Sequence, residues 1–367
     1  MPTENIKRNG ASRSWRDNLI DIEPYVAGEQ KRSPRLVKLN TNESPFPPSP
    51  LVSKAIEGFD AEILARYPDP NAKGLVRTIA GREGLPEEMV FVGNGSDEVI
   101  AFAFKAFFNS GLPVLFPDLT YSFYPVWCRL HGIPYEQVPL NSDFRIGQEG
   151  YARGNGGIVI PNPNAPTGIA EGAEFFGRLL RANTDSVVIV DEAYYGFGAE
   201  TILPLTRKYD NLFVARTLSK AGSLAGLRLG MGFGSPPLIA ALNAVKDSFN
   251  SYTVGSFTQC AGAAALSDQA YYDDAAAKII GTRERFTAAM RGLGFSVLDS
   301  SANFVFVTHP QLGAMELYEW LKARDILVRW FASPAKASSH LRITIGLDSE
   351  MDALLAAIEE YMQGKEI

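Results

Sequence analysis

Two side chains near the middle of this 367-residue sequence could do covalent and acid–base chemistry, Lys220 and Asp191. Lys220 follows an apolar run, 212–215, that predicts a buried strand, and it leads into a turn rich in Gly and Ala. Burial and a nearby cation such as Arg228 disfavour the charged form of a lysine, and its neutral amine is then a nucleophile. The pattern indicates a Schiff base between Lys220 and a carbonyl compound. The alternative is a solvated lysine on a surface loop.

Asp191 makes the interpretation of Lys220 more specific. It ends a continuous apolar run, 186–190, which is typical of a parallel strand buried on both faces. Ligands of open α/β sheets bind at the carboxyl ends of such strands. A buried carboxylate needs a cationic partner, and the protonated ring nitrogen of pyridoxal phosphate is one that a reactive lysine would accompany. The alternative is an aspartate that caps a helix beginning at Glu192.

Six segments of the chain carry recognisable motifs in a fixed order. They are RYPDP at 66–70, VGNGSDEVI at 92–100, PNPNAPTG at 161–168, VDEAYYGF at 190–197, TLSKAGSLAGLRLG at 217–230 and LRITIG at 341–346. Together they resemble the histidinol-phosphate aminotransferases, which belong to the class I/II, fold-type I aminotransferases that use pyridoxal phosphate. The resemblance runs from about Tyr25 to the C-terminal helix.

The resemblance implies an α/β fold of two domains. Residues 1–48 would form an N-terminal arm and a segment that joins the small domain. Residues 49–268 would form a large, cofactor-binding domain with a mostly parallel central sheet flanked by helices. Residues 269–367 would form a linking helix and a small α/β C-terminal domain.

Apolar patterns along the chain predict the individual elements. Strands are expected near 36–39 and at 89–92, 113–116, 157–160, 186–190, 212–215, 229–233, 304–307, 326–328 and 341–345. Helices are expected at 51–59, 73–83, 97–108, 268–293, 314–324 and 349–362, with another that ends near 246 and an Ala-rich one after 255.

Composition excludes several classes of function. The net charge of −6 and a pI near 5.3 disfavour nucleic acid and anionic membranes as main partners. With only Cys128, Cys260 and three histidines, neither a disulfide framework nor a metal site is expected. The N-terminus lacks an apolar signal core, and no apolar run is long enough to span a bilayer. We therefore expect a cytoplasmic protein.

The resemblance places the cofactor phosphate at the turn formed by Gly95, Ser96 and Asp97. A glycine turn that opens a helix presents free N–H groups and the positive end of the helix dipole. In the family pattern Asp97 contributes its backbone N–H and turns its carboxylate away. Ser96 as a simple N-cap is the alternative. Three further residues complete the predicted phosphate site: Thr217, Ser219 and Arg228.

The resemblance assigns the cofactor ring to Tyr121, which would stack on it, and to Asp191, which would protonate its nitrogen. Tyr194 would donate to the phenolic oxygen. One position departs from the family: Ala165 stands where an asparagine usually donates to the same oxygen. Asn164 or Asn162 could replace that donor if the backbone is shifted, and Tyr194 then becomes more important.

Four residues are predicted to bind the substrate. Arg342 alternates within a short apolar strand, where an unpaired charge is costly, so an anion is its expected partner. The resemblance pairs it with Arg329 on the phosphate of histidinol phosphate and on the carboxylates of glutamate. It adds Tyr25 and Asn40 to the pocket. A structural salt bridge at Arg342, a packing tyrosine and a turn asparagine are the alternatives.

The resemblance also implies a homodimer, because the family residue at Tyr67 contacts the cofactor phosphate of the neighbouring subunit. The implied reaction transfers an amino group from glutamate to imidazole-acetol phosphate, with Lys220 as general acid and base. An aromatic amino acid aminotransferase on the same scaffold is the main alternative, and a decarboxylase of an amino acid phosphate is a more distant one. A non-catalytic relative would not need Lys220 beside Asp191. A dinucleotide-binding dehydrogenase would need a third glycine after Gly95.

Overall fold

The computed structural model of the chain describes residues 15–26, 28–31 and 33–366. In this part of the chain, α-helices and strands alternate and build three sheets. The strands are β1 (Val37–Lys38), β2 (Val90–Asn94), β3 (Val114–Pro117), β4 (Tyr135–Val138), β5 (Gly157–Pro161), β6 (Val188–Asp191), β7 (Leu212–Thr217), β8 (Leu229–Gly234), β9 (Ser296–Val297), β10 (Phe304–Thr308), β11 (Ile326–Leu327), β12 (Arg329–Trp330) and β13 (Leu341–Thr344).

The helices cover the faces of these sheets. They are α1 (Pro50–Glu57), α2 (Lys73–Glu83), α3 (Gly95–Phe107), α4 (Tyr124–His131), α5 (Ala173–Ala182), α6 (Pro236–Phe249), α7 (Ser256–Leu266), α8 (Gln269–Gly292), α9 (Ala314–Ala323), α10 (Ala335–Ser338) and α11 (Asp348–Gly364). A short 3₁₀ turn at Trp15–Asn18 precedes them.

The largest sheet has seven strands in the order β2-β8-β7-β6-β5-β3-β4. All neighbouring pairs are parallel except those that involve β8. Its central strands are buried on both faces, as continuous apolar runs predict. Because β5, β6 and β7 are parallel, their carboxyl ends meet at one edge, where Asp191 ends β6 and Thr217 ends β7.

The C-terminal sheet has four antiparallel strands in the order β12-β13-β10-β9. Its apolar side chains pack with α8, α9 and α11 in a core of their own. The N-terminal segment joins this part of the molecule, since β1 pairs with β11 in a parallel ladder. The domain boundaries at 48/49 and 268/269 stay predictions.

The structure confirms the predicted strands and the type of each predicted helix, with ends that shift by a few residues. Six elements were missed: α4, β4 and α5, and the shorter β9, β12 and α10. In α4 the aromatic residues made the pattern look like general core packing. In β4 two of the four residues are exposed, so no apolar run marks it. Residues 1–14 of the predicted arm lie outside the described residues.

A close contact between two glycines brings the start of α3 against β8. Gly95 has a φ of +83°, which favours glycine. A Cβ added to Gly230 would lie 2.3 Å from the carbonyl carbon of Gly95. The contact therefore fixes the first turn of α3 beside the carboxyl end of β7. Among the described residues, no helix has the length and apolar character needed to cross a membrane.

We predict that Gly230→Ala destabilises the folded chain by about 2–3 kcal/mol, because the new methyl group overlaps the backbone of Gly95. Urea unfolding measures the change. Gly226→Ala is the matched control, since a Cβ there meets nothing within 4 Å. Equal stability of the two variants would show that α3 can move away from β8 without loss.

Candidate active site

A cavity of about 300 Å³ lies at the carboxyl edge of the parallel strands. The N-terminal segment around Asn40 and the C-terminal sheet form its other walls. Thirteen of the sixteen predicted site residues line it: Tyr25, Asn40, Ser96, Asp97, Tyr121, Asp191, Tyr194, Thr217, Ser219, Lys220, Arg228, Arg329 and Arg342. The fold thus gathers residues from both ends of the chain around one space.

Lys220 reaches into the cavity from the turn that follows β7. Its Nζ donates a hydrogen bond to the backbone carbonyl of Thr41 at 3.0 Å. Burial, and next the charge of Arg342, lower the pKa of Lys220 to about 8, while Glu43 opposes this shift. A large share of the amine is therefore neutral in mildly alkaline solution, as a nucleophile or a proton acceptor requires.

Asp191 is 4% exposed and faces the same cavity. One carboxylate oxygen accepts from the hydroxyl of Tyr124 at 2.9 Å, and the other accepts from the backbone N–H of Ala193 at 3.0 Å. Burial raises the pKa of Asp191 to about 6 although both hydrogen bonds lower it. Within the described residues, Asp191 forms no ion pair, so the cation that a buried carboxylate favours is not supplied by the chain.

The interpretation of Asp191 as a helix cap is wrong, because the chain forms turns after β6 and no helix begins there. Glu192 has a separate task. It binds the buried guanidinium of Arg216 at 2.8 Å and accepts from the backbone N–H of Ile202. The two neighbouring acidic residues therefore point to different surroundings, and only Asp191 lines the cavity.

One pole of the cavity is suited to an anion. Arg228 has a φ of +58°, and its guanidinium lies against Gly95, where a Cβ would come within 2.5 Å of Nη2. The hydroxyls of Thr217 and Ser219 are 2.8 Å apart beside it. The free N–H groups at the start of α3 and the cation of Arg228 favour a phosphate at this place.

The family pattern implies that the Asp97 carboxylate is turned away from this pole. In the structure it faces the pole instead. It accepts from the hydroxyl of Tyr121 at 3.0 Å and pairs with Arg228 at 3.1 Å. The side chains of Asp97 and Arg228 are 39% and 44% exposed, so the ion pair is open to solvent and weakly held. Asp97 therefore links the hydroxyl of Tyr121 to Arg228 at this anion-binding end of the cavity, the anion pole.

A second cationic part of the cavity lining contains two arginines on neighbouring strands. Arg329 of β12 lies directly across from Arg342 of β13 in the antiparallel register. Like charges placed directly opposite each other are unfavourable, and neither arginine forms an ion pair within the described residues. Arg342 donates from Nη2 to the carbonyl of Asn40 at 2.8 Å, while its buried Nε has no partner there. Phe331 lies near both guanidinium groups, at 5.4 and 5.7 Å.

The cavity lining also contains aromatic rings, those of Tyr25, Tyr121 and Tyr194. Tyr25 stacks on Phe123 with their centroids 4.4 Å apart, and its edge approaches Tyr121 at 6.0 Å. Burial and the adjacent Asp97 raise the pKa of Tyr121, so its hydroxyl stays protonated. Tyr194 packs edge-on against Phe304 at 4.9 Å, and burial raises its pKa as well. The cavity thus offers flat apolar surfaces and two cationic regions.

Comparison with known proteins places the chain in a family. The family model "Aminotransferase class I and II" matches residues 34–358. The chain belongs to the class I and II aminotransferases. It is 48% identical to the histidinol-phosphate aminotransferase of Lactococcus lactis subsp. cremoris (strain MG1363) over 353 residues, which cover 96% of this chain and 99% of that protein. It is 49% identical to histidinol-phosphate aminotransferase 1 of Bordetella parapertussis, over 95% of this chain and 99% of that protein.

A solved aminotransferase with the same fold is the histidinol-phosphate aminotransferase of Sinorhizobium meliloti in complex with pyridoxal-5'-phosphate. The two structures share a TM-score of 0.82 and 27% sequence identity, and the match covers 89% of this chain and 91% of that one. The family and the neighbour confirm the α/β, fold-type I architecture that the motifs predict.

Three predicted residues of this aminotransferase do not line the cavity: Gly95, Asn164 and Tyr67. Gly95 lies behind the anion pole, where its missing side chain admits Arg228. Asn164 is turned elsewhere, because it donates to the carbonyl of Leu119 and accepts from the hydroxyl of Thr120 at 3.0 Å. The substitute donor proposed at Asn164 is therefore not in place.

Asn162, the second possible substitute donor, and Tyr67 also lie away from the cavity, whereas Ala165 lines it. Asn162 exchanges two hydrogen bonds with the backbone of Glu171 and is also absent from the cavity lining. Ala165 does line it and packs against Ala302 and Phe304. Tyr67 is 81% exposed on the outer surface. Its contact with a neighbouring subunit stays a prediction.

Sequence reasoning missed two residues that hold the predicted ones. Tyr124 was not among the predicted site residues, yet its hydroxyl donates to Asp191. Its position three residues after Tyr121 is the signal that could have found it, because this spacing puts both rings on one side of a helical turn. Asn42 donates from Nδ2 to the hydroxyl of Tyr194 at 2.9 Å. In the described residues, no group of three or more His, Cys, Asp or Glu side chains could hold a metal ion.

We predict that Asp191→Asn stabilises the cofactor-free protein at pH 8 by about 3 kcal/mol, which corresponds to a rise in pKa from 3.8 to about 6 on folding. The folded state is penalised above pH 6, and the penalty disappears as the pH falls towards 4. The gain should fall to about half at pH 5. Urea unfolding at both pH values measures it.

Asp299→Asn is the control for this experiment, because the side chain of Asp299 is 94% exposed and its ion pair with Arg291 contributes little. A gain from Asp191→Asn that does not change with pH would contradict the assignment of a raised pKa to Asp191.

Proposed function

We propose that the chain transfers an amino group between glutamate and imidazole-acetol phosphate, with pyridoxal phosphate as its cofactor. The products are 2-oxoglutarate and L-histidinol phosphate. The observation that carries the choice of substrate is the pair Arg329 and Arg342, which face one cavity from adjacent strands and form no ion pair with any described residue. The names of the relatives in Lactococcus and Bordetella support the same substrate.

The residues of the cavity fit pyridoxal phosphate at three points. Asp191 is a buried carboxylate that pairs with no cation in the described part of the chain, and a protonated ring nitrogen would supply that cation. The start of α3 and Arg228 present hydrogen-bond donors and positive charge to a phosphate. Lys220 offers an amine with a pKa of about 8 between them. When bound, pyridoxal phosphate supplies a conjugated ring that accepts the electron pair released at the amino-bearing carbon.

The side chains of the chain then have separate tasks. Lys220 takes and returns a proton at Nζ, and the Thr41 carbonyl provides a resting partner for that amine. Asp191 keeps a proton on the group that it faces, since its own position is fixed by Tyr124. Tyr121 covers one side of the cavity and excludes water from it.

The arginine pair explains how one site can accept two kinds of substrate. A phosphate ester carries up to two negative charges and can relieve the repulsion between Arg329 and Arg342 together. The carboxylates of glutamate and 2-oxoglutarate also present negatively charged oxygens, which the same two guanidinium groups can bind. The Nε of Arg342, which has no partner among the described residues, is available to such an anion.

We predict that the purified protein transfers the amino group of L-histidinol phosphate to 2-oxoglutarate with a kcat/KM far above that for L-phenylalanine. Arg329→Ala should lower kcat/KM for histidinol phosphate roughly 30- to 100-fold, the loss of one charge-assisted contact. The same substitution should change kcat/KM for histidinol much less, because histidinol lacks the phosphate. A coupled assay for glutamate formation measures all three reactions.

Arg77→Ala is the matched control, because the side chain of Arg77 is 75% exposed and forms only a surface ion pair with Glu87. Equal or faster turnover of phenylalanine, unaffected by the change at Arg329, would transfer the protein to the aromatic amino acid aminotransferases.

We also infer that the protein works as a homodimer in which Tyr67 reaches the anion pole of the neighbouring subunit. Tyr67 is 81% exposed and stacks on Tyr252 with their centroids 4.6 Å apart. Further large apolar side chains are exposed, among them Leu64 at 61% and Phe249 at 80%. Side chains of this kind favour burial in an interface.

The unpaired Cys128 and Cys260 support the predicted cytoplasmic location.

We predict that Tyr67→Phe weakens binding of pyridoxal phosphate about tenfold, the effect of one lost hydrogen bond to a phosphate, without changing the mass of the particle. Fluorescence titration and sedimentation equilibrium measure the two quantities. Tyr252→Phe removes a hydroxyl from the stacking partner and should leave the affinity unchanged. A fully active particle of 40.0 kDa, the mass of one chain, would contradict the dimer.

A further inference from the structure

We propose that Asn42 is a positioning residue that directs the hydroxyl hydrogen of Tyr194 into the cavity. The inference rests on the proposed function, because the acceptor for that hydrogen would be the phenolic oxygen of pyridoxal phosphate. Asn42 lies in the N-terminal segment, lines the cavity and is 1% exposed.

The hydrogen bonds of Asn42 fix the orientation of its amide. Its backbone N–H donates to the hydroxyl of Thr344 at 3.0 Å. The same hydroxyl donates to the Asn42 side-chain oxygen at 2.9 Å. The Asn42 backbone carbonyl accepts from the side chain of Asn303 at 3.0 Å. If the amide were turned over, the buried Thr344 hydroxyl would face an NH₂ group and its hydrogen would lose this acceptor.

This orientation determines what the Tyr194 hydroxyl does. The Asn42 NH₂ group donates to the oxygen of Tyr194 at 2.9 Å, so Tyr194 is the acceptor in that contact. Its own hydrogen must point elsewhere, and the described residues provide no acceptor for it. Tyr194 lines the cavity, where a bound oxyanion would receive the hydrogen.

The direction of this hydrogen matters because the second donor predicted for the phenolic oxygen is absent. Ala165 presents a methyl group at the position of the usual asparagine, and Asn164 is occupied by Leu119 and Thr120. Of the two expected donors, Tyr194 alone remains. A tyrosine hydroxyl can rotate between donating and accepting, so a single donor needs a neighbour that holds it in one state.

The backbone of Asn42 also suits this task. Its φ of +55° lies in the left-handed region, which asparagine and aspartate adopt more readily than most residues. Through Thr344 and Asn303 the residue is bound to the C-terminal sheet, and through Tyr194 it is bound to the loop after β6. The orientation of the Tyr194 hydrogen therefore depends on how these two parts meet.

Asn42→Asp tests the proposal, because aspartate keeps the shape and the backbone conformation but can only accept hydrogen bonds when ionised. The Tyr194 hydroxyl should then donate to Asp at 42 and no longer to the cofactor. In the protein loaded with pyridoxal phosphate, the pH midpoint of the change in visible absorption should rise by about one unit or more, since the deprotonated oxygen has lost its donor.

The added negative charge would also raise this midpoint, so the experiment is run as a double-mutant cycle with Tyr194→Phe. Without the tyrosine hydroxyl, only the charge effect remains, and Asn42→Asp should shift the midpoint clearly less than it does beside Tyr194. Equal shifts in both backgrounds would overturn the proposal, because Asn42 would then act without Tyr194.

Thr344→Ser is the conservative control, since serine keeps the hydroxyl that holds the amide. Its midpoint should match that of the unchanged protein, whereas a shift as large as that of Asn42→Asp would also count against the proposal. Thermal unfolding of each variant reports any general loss of structure, which the cycle separates from the spectroscopic effect. Absence of any visible band in the unchanged protein would contradict the proposed function itself, whereas a normal band with an unresponsive midpoint would contradict only the role of Asn42.

Discussion

Asp191 keeps a carboxylate at the carboxyl end of β6 with two hydrogen bonds and no ion pair in the described part of the chain. Such a group is unfavourable in the folded protein, as its pKa of about 6 shows. The surrounding elements tolerate it because Tyr124 and the turn at Ala193 satisfy its oxygens. The chain therefore gives up stability in order to present a buried negative charge to a cationic group of a bound molecule.

The segment from Asn40 to Glu43 gives the cavity a wall that neither the seven-stranded nor the four-stranded sheet provides. Its carbonyl at Thr41 holds the Lys220 amine, and its amide at Asn42 holds the Tyr194 hydroxyl. The carbonyl of Asn40 accepts from Arg342. Three functional side chains from distant parts of the sequence are thus oriented by three consecutive residues, Asn40 to Asn42, and their relative positions depend on one short stretch of backbone.

The apolar runs in the sequence made the layout of the seven-stranded sheet, and of the site at its edge, largely predictable. Buried parallel strands appear as continuous apolar runs, so the polar residues that end them, such as Asp191 and Thr217, could be placed at one edge before any contact was known. The hydrogen bond between Asn42 and Thr344 could not be predicted, because the two residues are 302 positions apart and no local pattern links them. The direction of the Asp97 carboxylate was also wrong in the prediction, since it depends on Tyr121 and on Arg228 together.

The pairing of β1 with β11 sets an order for assembly during synthesis. Residues 37–38 are made well before their partners at 326–327, because 287 residues separate the two strands. The seven-stranded sheet lies wholly between them, so it can form while the N-terminal segment still waits. Thr41 and Asn42 reach Lys220 and Tyr194 only after that segment has docked. Until residues 326–327 have been made, β1 lacks its partner strand, so the surroundings of the Lys220 amine are completed only after the seven-stranded sheet has been synthesised.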